Sequence, residues 1–246
     1  MSSPKADEVI SINDSQRSAA KAAALAFLIS MAFVAYSNFG LRASLSVEGN
    51  LPETVRRIAA AESLARLSVV FDLAYCTGFI VLLSALYLVL SPVNRHLALL
   101  AGISKLIYVM SALSISFGFL KVLHLSSDPA YLQTLGAEGV QGLVKLNYAA
   151  TWDQYYVGLV FWALSSTLFG WLWLKSRYIP AALALFGIVS SAWCVFCAVA
   201  YLLEPTFASV VNLWLFDMPM VLFYITLSGW LLVKGLHVSS ATVTNV

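Results

Sequence analysis

Leu67-Ser-Val-Val-Phe-Asp-Leu-Ala-Tyr-Cys-Thr-Gly-Phe-Ile-Val-Leu-Leu-Ser-Ala-Leu-Tyr-Leu-Val-Leu90 decides the fold. It is a long apolar run broken by a single charge, Asp72. A helix that crosses a bilayer needs about 20 mostly apolar residues, and this run has them. Hydrocarbon offers no partner for backbone N–H and C=O groups, so a spanning segment pairs them within itself. No alternating period-two pattern supports a β-barrel, which leaves the α-helix. Five further runs qualify, at about 22–41, 97–120, 154–174, 180–203 and 212–233. The fold class expected is an all-α polytopic transmembrane bundle of about six spans.

Composition agrees. The 246 residues are 61% hydrophobic and 11% charged, against about 25% charged in soluble domains. Mean hydropathy is +0.85, so lipid is the solvent for much of the chain. A net charge of +2 without a basic, aromatic-interleaved cluster excludes nucleic acid as a partner. Cys76, Cys194 and Cys197 all fall in apolar runs, which excludes a secreted disulfide framework.

The spans divide the chain into a polar N-terminal tail (1–20, expected to be disordered), a membrane domain (21–236) and a polar C-terminal tail (237–246). Ala35-Tyr36-Ser37 imitates a signal-peptidase site, but the apolar run continues to Leu41, so this helix is read as retained. Pro92 and Pro180 punctuate short turns between spans. Residues 42–66 interleave Glu53, Arg56, Arg57, Glu62 and Arg66 with apolar positions, the pattern of an interfacial amphipathic helix. Glu62 and Arg66 have the favourable i,i+4 order. Residues 121–150, polar and glycine-punctuated, read as a long connection with a short helix after Asp128-Pro129. Lysines and arginines divide almost evenly between the two faces. The basic turns around Arg95 and at Lys175–Arg177 tip the orientation towards both termini in the cytoplasm of a cell (inner) membrane.

Charges inside the spans are the functional leads, because burying them is costly. Asp72, Asp153 and Asp217 each follow an aromatic residue near the start of a span, at comparable depth. Helix N-termini favour carboxylates, so Asp153 is expected to cap its span. Asp217 precedes Met218-Pro219 and either starts the last span or follows a re-entrant stretch at 206–216. Lys105 is the one cation deep in an apolar run. Topology makes Asp72 its nearest acid, across a tight hairpin. Tyr75 and Tyr108 lie one turn beyond Asp72 and Lys105 and are expected to share their polar patch. Trp152, Tyr155, Tyr156 and Trp214 gather at the outer boundary, as an aromatic belt does.

Cys194-Val-Phe-Cys197 has the spacing of a thiol oxidoreductase. Small residues at i and i+3 also serve helix packing, as do Ser166-x-x-x-Gly170 and Gly187-x-x-x-Ser191. His96, His124 and His237 fall at helix ends, so no span supplies an axial haem ligand. No H-E-x-x-H, G-x-S-x-G or P-loop occurs. Leu97–Ser104 and Leu183–Ser190 are weakly alike, each following a proline-containing basic turn.

Leu90-Ser-Pro-Val-Asn-Arg-His-Leu-Ala-Leu-Leu100 resembles the bacterial multi-pass membrane family known as domain of unknown function 4386. Four other stretches carry the same resemblance: Glu62-Ser-Leu-Ala-Arg66 leading to Asp72, Lys105-Leu-Ile-Tyr108, Gly158-Leu-Val-Phe161 with the Lys175–Pro180 turn, and Trp230-Leu-Leu-Val-Lys-Gly235. Together they cover about residues 20–236. Members often carry a histidine shortly before the fourth span, where this chain has Asn147 to Thr151. The resemblance implies a membrane protein of about six helices and transfers no catalytic residue.

Three readings stay open. The first is binding or transport of a small solute or ion through an outward-facing polar cavity around Asp72, Lys105, Asp153, Asp217, Tyr75 and Tyr108. The second is a non-catalytic membrane partner or regulatory subunit whose charges organise packing. The third is a membrane enzyme, redox through Cys194 and Cys197 or acting on lipid. No catalytic residue, metal or cofactor is expected. The partners expected are the bilayer and a small-molecule or ion ligand, and a homo-oligomer stays open.

Overall fold

The computed structural model describes residues 12–237. The outer parts of the two tails, 1–11 and 238–246, lie outside the described residues. The first helix, α1 (Asp14–Ala35), starts inside the stretch expected as tail. Its start is a capping box. The Asn13 side chain accepts from the Gln16 N–H (2.8 Å), and the Gln16 side chain accepts from the Asn13 N–H (3.1 Å). α1 passes through a π-helical segment (Tyr36–Arg42) into a final turn, α2 (Ala43–Leu45). Then come α3 (Leu51–Ala60), α4 (Glu62–Leu90), α5 (Arg95–Ser127), α6 (Pro129–Ser176) and α7 (Ala181–Leu203). Two short turns, α8 (Phe207–Val210) and α9 (Leu213–Phe216), lead to α10 (Met218–Val233).

Among the described residues there is no strand. Five helical segments are long and apolar enough to cross a membrane: Asp14–Leu45, α4, α5, α6 and α7. The sixth apolar helix, α10, has 16 residues, which at 1.5 Å per residue is about 24 Å. The chain is a multi-pass integral membrane protein with an all-α bundle fold.

The six long helices close a ring. α1 packs on α4, α4 on α5, α5 on α6, α6 on α7, α7 on α10, and α10 back on α1. Successive helices run in opposite directions, so one face gathers both ends of the described chain. On this terminal face Gln16 Nε2 donates to the Val89 carbonyl (3.1 Å), and the His237 N–H donates to the Tyr178 carbonyl (2.9 Å). Close approach needs small residues. A Cβ at Gly187 of α7 would sit 2.5 Å from Cζ of Phe223, and one at Gly170 of α6 would sit 2.9 Å from Cγ1 of Ile188.

Residues 121–150 differ from expectation. α5 runs on to Ser127, and α6 starts at Pro129 and reaches Ser176 through a sharp kink at Gly136, whose backbone (φ 70°, ψ 169°) is not helical. Glycine takes that φ without a Cβ penalty. The polar residues are the solvent face of this hairpin, and its inner face is apolar. Val140 and Val144 pack with Phe119, Val122 and Leu123 in a second core. Asn147 Nδ2 donates to the Gly118 carbonyl (3.0 Å). The expected amphipathic helix is α3, which buries Ile58 completely in the same core. Its exposed side carries Glu53 with Arg56 and Arg57, at 2.7 and 2.9 Å. The guanidinium of Arg56, and then that of Arg57, holds the Glu53 carboxyl down at about 2.

Candidate functional site

Polar groups inside the ring fall into three clusters, two towards the distal face and one near the middle. The first is built on Asp72, whose carboxylate is buried. Its partner is Arg42, through an ion pair from the Arg42 guanidinium to Oδ2. Ser116 Oγ of α5 lies 3.0 Å from the same oxygen, and Ser37 Oγ lies 2.8 Å from Oδ1. Arg42 Nε also donates to Ser68 Oγ (3.3 Å), and the guanidinium lies over the Phe119 ring at 4.4 Å. The π-segment makes this arrangement. Its i→i+5 bonds place residues five apart on one face, where an α-helix places i+4. Ser37 and Arg42 are five apart, and both reach Asp72.

The expected pairing of Asp72 with Lys105 does not form. Counted from the terminal face, Asp72 is 18 residues from Leu90 and Lys105 is 10 residues from Arg95. At 1.5 Å per residue those depths are about 27 and 15 Å, a gap no lysine side chain spans.

Lys105 occupies the second cluster, near the middle of the ring, and is fully buried. Its Nζ donates to Tyr224 Oη (3.0 Å) of α10 and to Ser166 Oγ (3.3 Å) of α6. Ser166 and Tyr224 are themselves 2.8 Å apart. Aromatic faces close the remaining sides, with Nζ 4.8 Å from the Tyr224 centroid, 5.4 Å from Trp162 and 5.8 Å from Phe79. Those distances lie in the cation–π range. Among the described residues no carboxylate lies within 4.0 Å of this ammonium. The rings belong to an aromatic plug drawn from five helices: Phe27, Phe79, Tyr108, Trp162 and Tyr224.

Tyr75 and Tyr108 join the first two clusters. Tyr75 follows Asp72 by three residues on α4, and Tyr108 follows Lys105 by three on α5, so each shares a helix face with its charge. Their hydroxyls are hydrogen-bonded to each other. The order across the ring is Asp72, Tyr75, Tyr108, Lys105.

The third cluster is Asp217, at the start of α10. Its side chain does not cap that helix. Its Oδ2 accepts instead from Tyr155 Oη (2.5 Å) of α6. Within 206–216, the candidate re-entrant stretch, lie the short turns α8 and α9, and Trp193 Nε1 donates to the Leu215 carbonyl (3.0 Å) to pin them. Asp153 joins none of these clusters. It is exposed in the middle of α6 and caps nothing, because helix runs for about four turns between the Gly136 bend and it. Trp152, Tyr155 and Tyr156 meet edge-to-face or tilted, and Tyr156 stacks on Tyr201 with centroids 3.4 Å apart. Cys194 and Cys197 are free, buried thiols on α7, and Cys76 is free and buried on α4.

Arg42, Ser37, Ser116, Ser166 and Tyr224 were missed by sequence reasoning. Arg42 reads as a loop cation until the π-segment turns it inward. The serines and Tyr224 are common residues in apolar helices, and only the ring brings them together.

The chain belongs to the family described as domain of unknown function (DUF4386), whose model matches residues 22–235. No curated protein and no solved structure matches it.

Proposed function

We propose that this member of the DUF4386 family binds a small solute or ion and passes it through the helix ring, with Lys105 as the binding charge. The path starts at the distal face, beside Asp72, Arg42 and Asp217, and reaches Lys105 past Tyr75 and Tyr108. The observation that carries this reading is the contrast between half-buried Arg42 and fully buried Lys105. Arg42 is given a carboxylate. Lys105, more deeply buried, is given hydroxyls and aromatic faces. Hydroxyls satisfy ammonium protons without cancelling its charge, and an uncompensated buried ion costs several kcal/mol. Such a charge is kept where a visiting ion, ligand or proton balances it.

Placement follows from the cations as well. On the distal face Arg42, Arg56, Arg57 and Arg66 are paired with Asp72, Glu53 and Glu62, and among the described residues Lys121 and Lys145 have no ion-pair partner. Among the described residues, Arg17, Lys21, Arg95, Lys175, Arg177 and Lys234 on the terminal face have no ion-pair partner. Free cations belong against the anionic cytoplasmic leaflet. The larger number of free cations on the terminal face supports a placement with both termini in the cytoplasm of a cell membrane.

One observation favours a second reading. Asp72 is fully satisfied by Arg42, Ser37 and Ser116, as a charge kept for packing would be, and that fits a non-catalytic membrane partner.

The test is capacitive current from proteoliposomes on a solid-supported membrane, after concentration jumps in protons, sodium, chloride, phosphate and neutral amino acids. Wild type is expected to give a transient for at least one of these. Lys105→Met, near-isosteric and free of the buried charge, is expected to fold and lose it. Identical currents in Lys105→Met, or no current from any jump, overturn the reading.

A further inference from the structure

The bundle holds a second built feature away from the ring centre. At the terminal face, where α1 begins and α10 ends, a cavity of about 230 Å³ is lined by Arg17, Lys21 and residues 231–236. Arg17 and Lys21 are i,i+4 neighbours, so they share one face of α1. Lys234 reaches the same cavity from the end of α10. All three are exposed, and among the described residues none has a carboxylate within 4.0 Å.

The obvious alternative is that Arg17 and Lys21 only neutralise the end of α10. Charge arithmetic argues against it. The Lys234 and Gly235 N–H groups both bond back to the Trp230 carbonyl, and Gly235 takes φ 71° to close the helix. What remains at a helix C-terminus amounts to about half a negative charge. Three cations face it, which leaves an excess of about two and a half positive charges. None of the three donates a hydrogen bond to residues 231–236.

The walls add a second property. Leu232 and Val233 line the same cavity and are exposed, Val233 at 79%. A basic pocket rimmed by apolar surface, at the level where six apolar helices end, fits an amphiphile with an anionic head. We infer that Arg17, Lys21 and Lys234 form a binding site for the phosphate of an anionic phospholipid, whose acyl chains run along Leu232 and Val233. A free phosphate shares the head-group chemistry and lacks the apolar contact. This inference is independent of the transport reading.

Native mass spectrometry of the delipidated protein in detergent tests it. The probes are dioleoylphosphatidylglycerol and dioleoylphosphatidylcholine at equal concentration, with and without 10-fold excess inorganic phosphate. Wild type is expected to retain phosphatidylglycerol at least about tenfold over phosphatidylcholine, given about 1 kcal/mol per cation near an anionic surface. Excess phosphate is expected to change nothing. R17Q/K21Q/K234Q, altered only at exposed positions, is expected to bind both lipids equally. K175Q/R177Q, which removes two exposed cations elsewhere on the same face, is expected to keep the preference. Displacement by phosphate assigns the pocket to free anion and overturns the lipid site. Equal loss in K175Q/R177Q reduces the effect to general surface charge and overturns it too, as does an unchanged preference in the triple variant.

Discussion

Asp72→Ala and Arg42→Ala, made singly and together, test whether the outer ion pair is the one the helix depths dictate. Asp72 accepts from two hydroxyls and a guanidinium. Its removal leaves Arg42 without a counter-charge on a side chain that is 16% exposed. Breaking a buried pair from one side costs about 3–5 kcal/mol. The Phe119 face and partial access to the interface relieve Arg42, so about 3 kcal/mol is expected for Asp72→Ala. Arg42→Ala leaves a carboxylate that is only 9% exposed but keeps its two serine donors, and about 3 kcal/mol is expected there too. The double variant removes both charges, so its loss is expected to be about 4 kcal/mol rather than the sum, a coupling of about 2 kcal/mol. Thermal unfolding in mild detergent reads each single change as a fall of about 6–12 °C. The control cycle is Asp72→Ala with Lys105→Met. With about 12 Å between those charges in depth, their effects are expected to add within about 0.5 kcal/mol. Strong coupling of Asp72 to Lys105 with none to Arg42 would refute the arrangement of the clusters.

Other outcomes follow from the same geometry. Tyr75→Phe and Tyr108→Phe are each expected to cost about 1 kcal/mol, and the double variant little more than either, because one lost hydroxyl already orphans the other; detergent melting curves of the three variants check this. Gly187→Ala drives a Cβ into the Phe223 ring, an overpacking worth about 1–3 kcal/mol, whereas Gly102→Ala meets nothing within 4 Å and is expected to be neutral or stabilising. Glu53 has its carboxyl lowered from 4.5 to about 2. A group with a depressed folded pKa contributes stability above its unfolded pKa and loses it as pH falls through the folded value. Protection factors of the α3 amides, corrected for the intrinsic pH dependence of exchange, are therefore expected to be flat from pH 8 to 5 and to fall from about 4.5 down towards 2, a step absent in Glu53→Gln.

The spans were legible in the sequence because length and apolarity alone decide what crosses a bilayer; the order in which they close a ring was not. The interfacial helix was legible because Glu53, Arg56 and Arg57 recur at helical spacing against apolar residues. The extent of α5 and α6 was not. Glycine and polar residues between 121 and 150 read as loop, and only packing against Phe119 and Leu123 makes them helix. Asp153 was misplaced for the same reason, since a residue cannot cap a helix that started long before it. The candidate site was half legible. Lys105 and Asp72 stand out as charges in apolar sequence, but which groups face them depends on a π-segment and on the neighbours of α10. Neither leaves a periodic mark.

The stack of Phe27 on Tyr224, with centroids 5.0 Å apart, joins the first long helix to the last. A ring closed in this way has consequences for biogenesis. Phe27 reaches the translocon at the outset and meets its partner only when synthesis is almost finished. Until then an open seam lies between α1 and α7, and Phe27, Trp162 and the Lys105 ammonium lack the Tyr224 side chain that covers them. A chain truncated before α10 keeps that seam permanently and is a ready substrate for membrane proteases. Quality control can thus inspect completeness at a single place, the gap that the last helix fills.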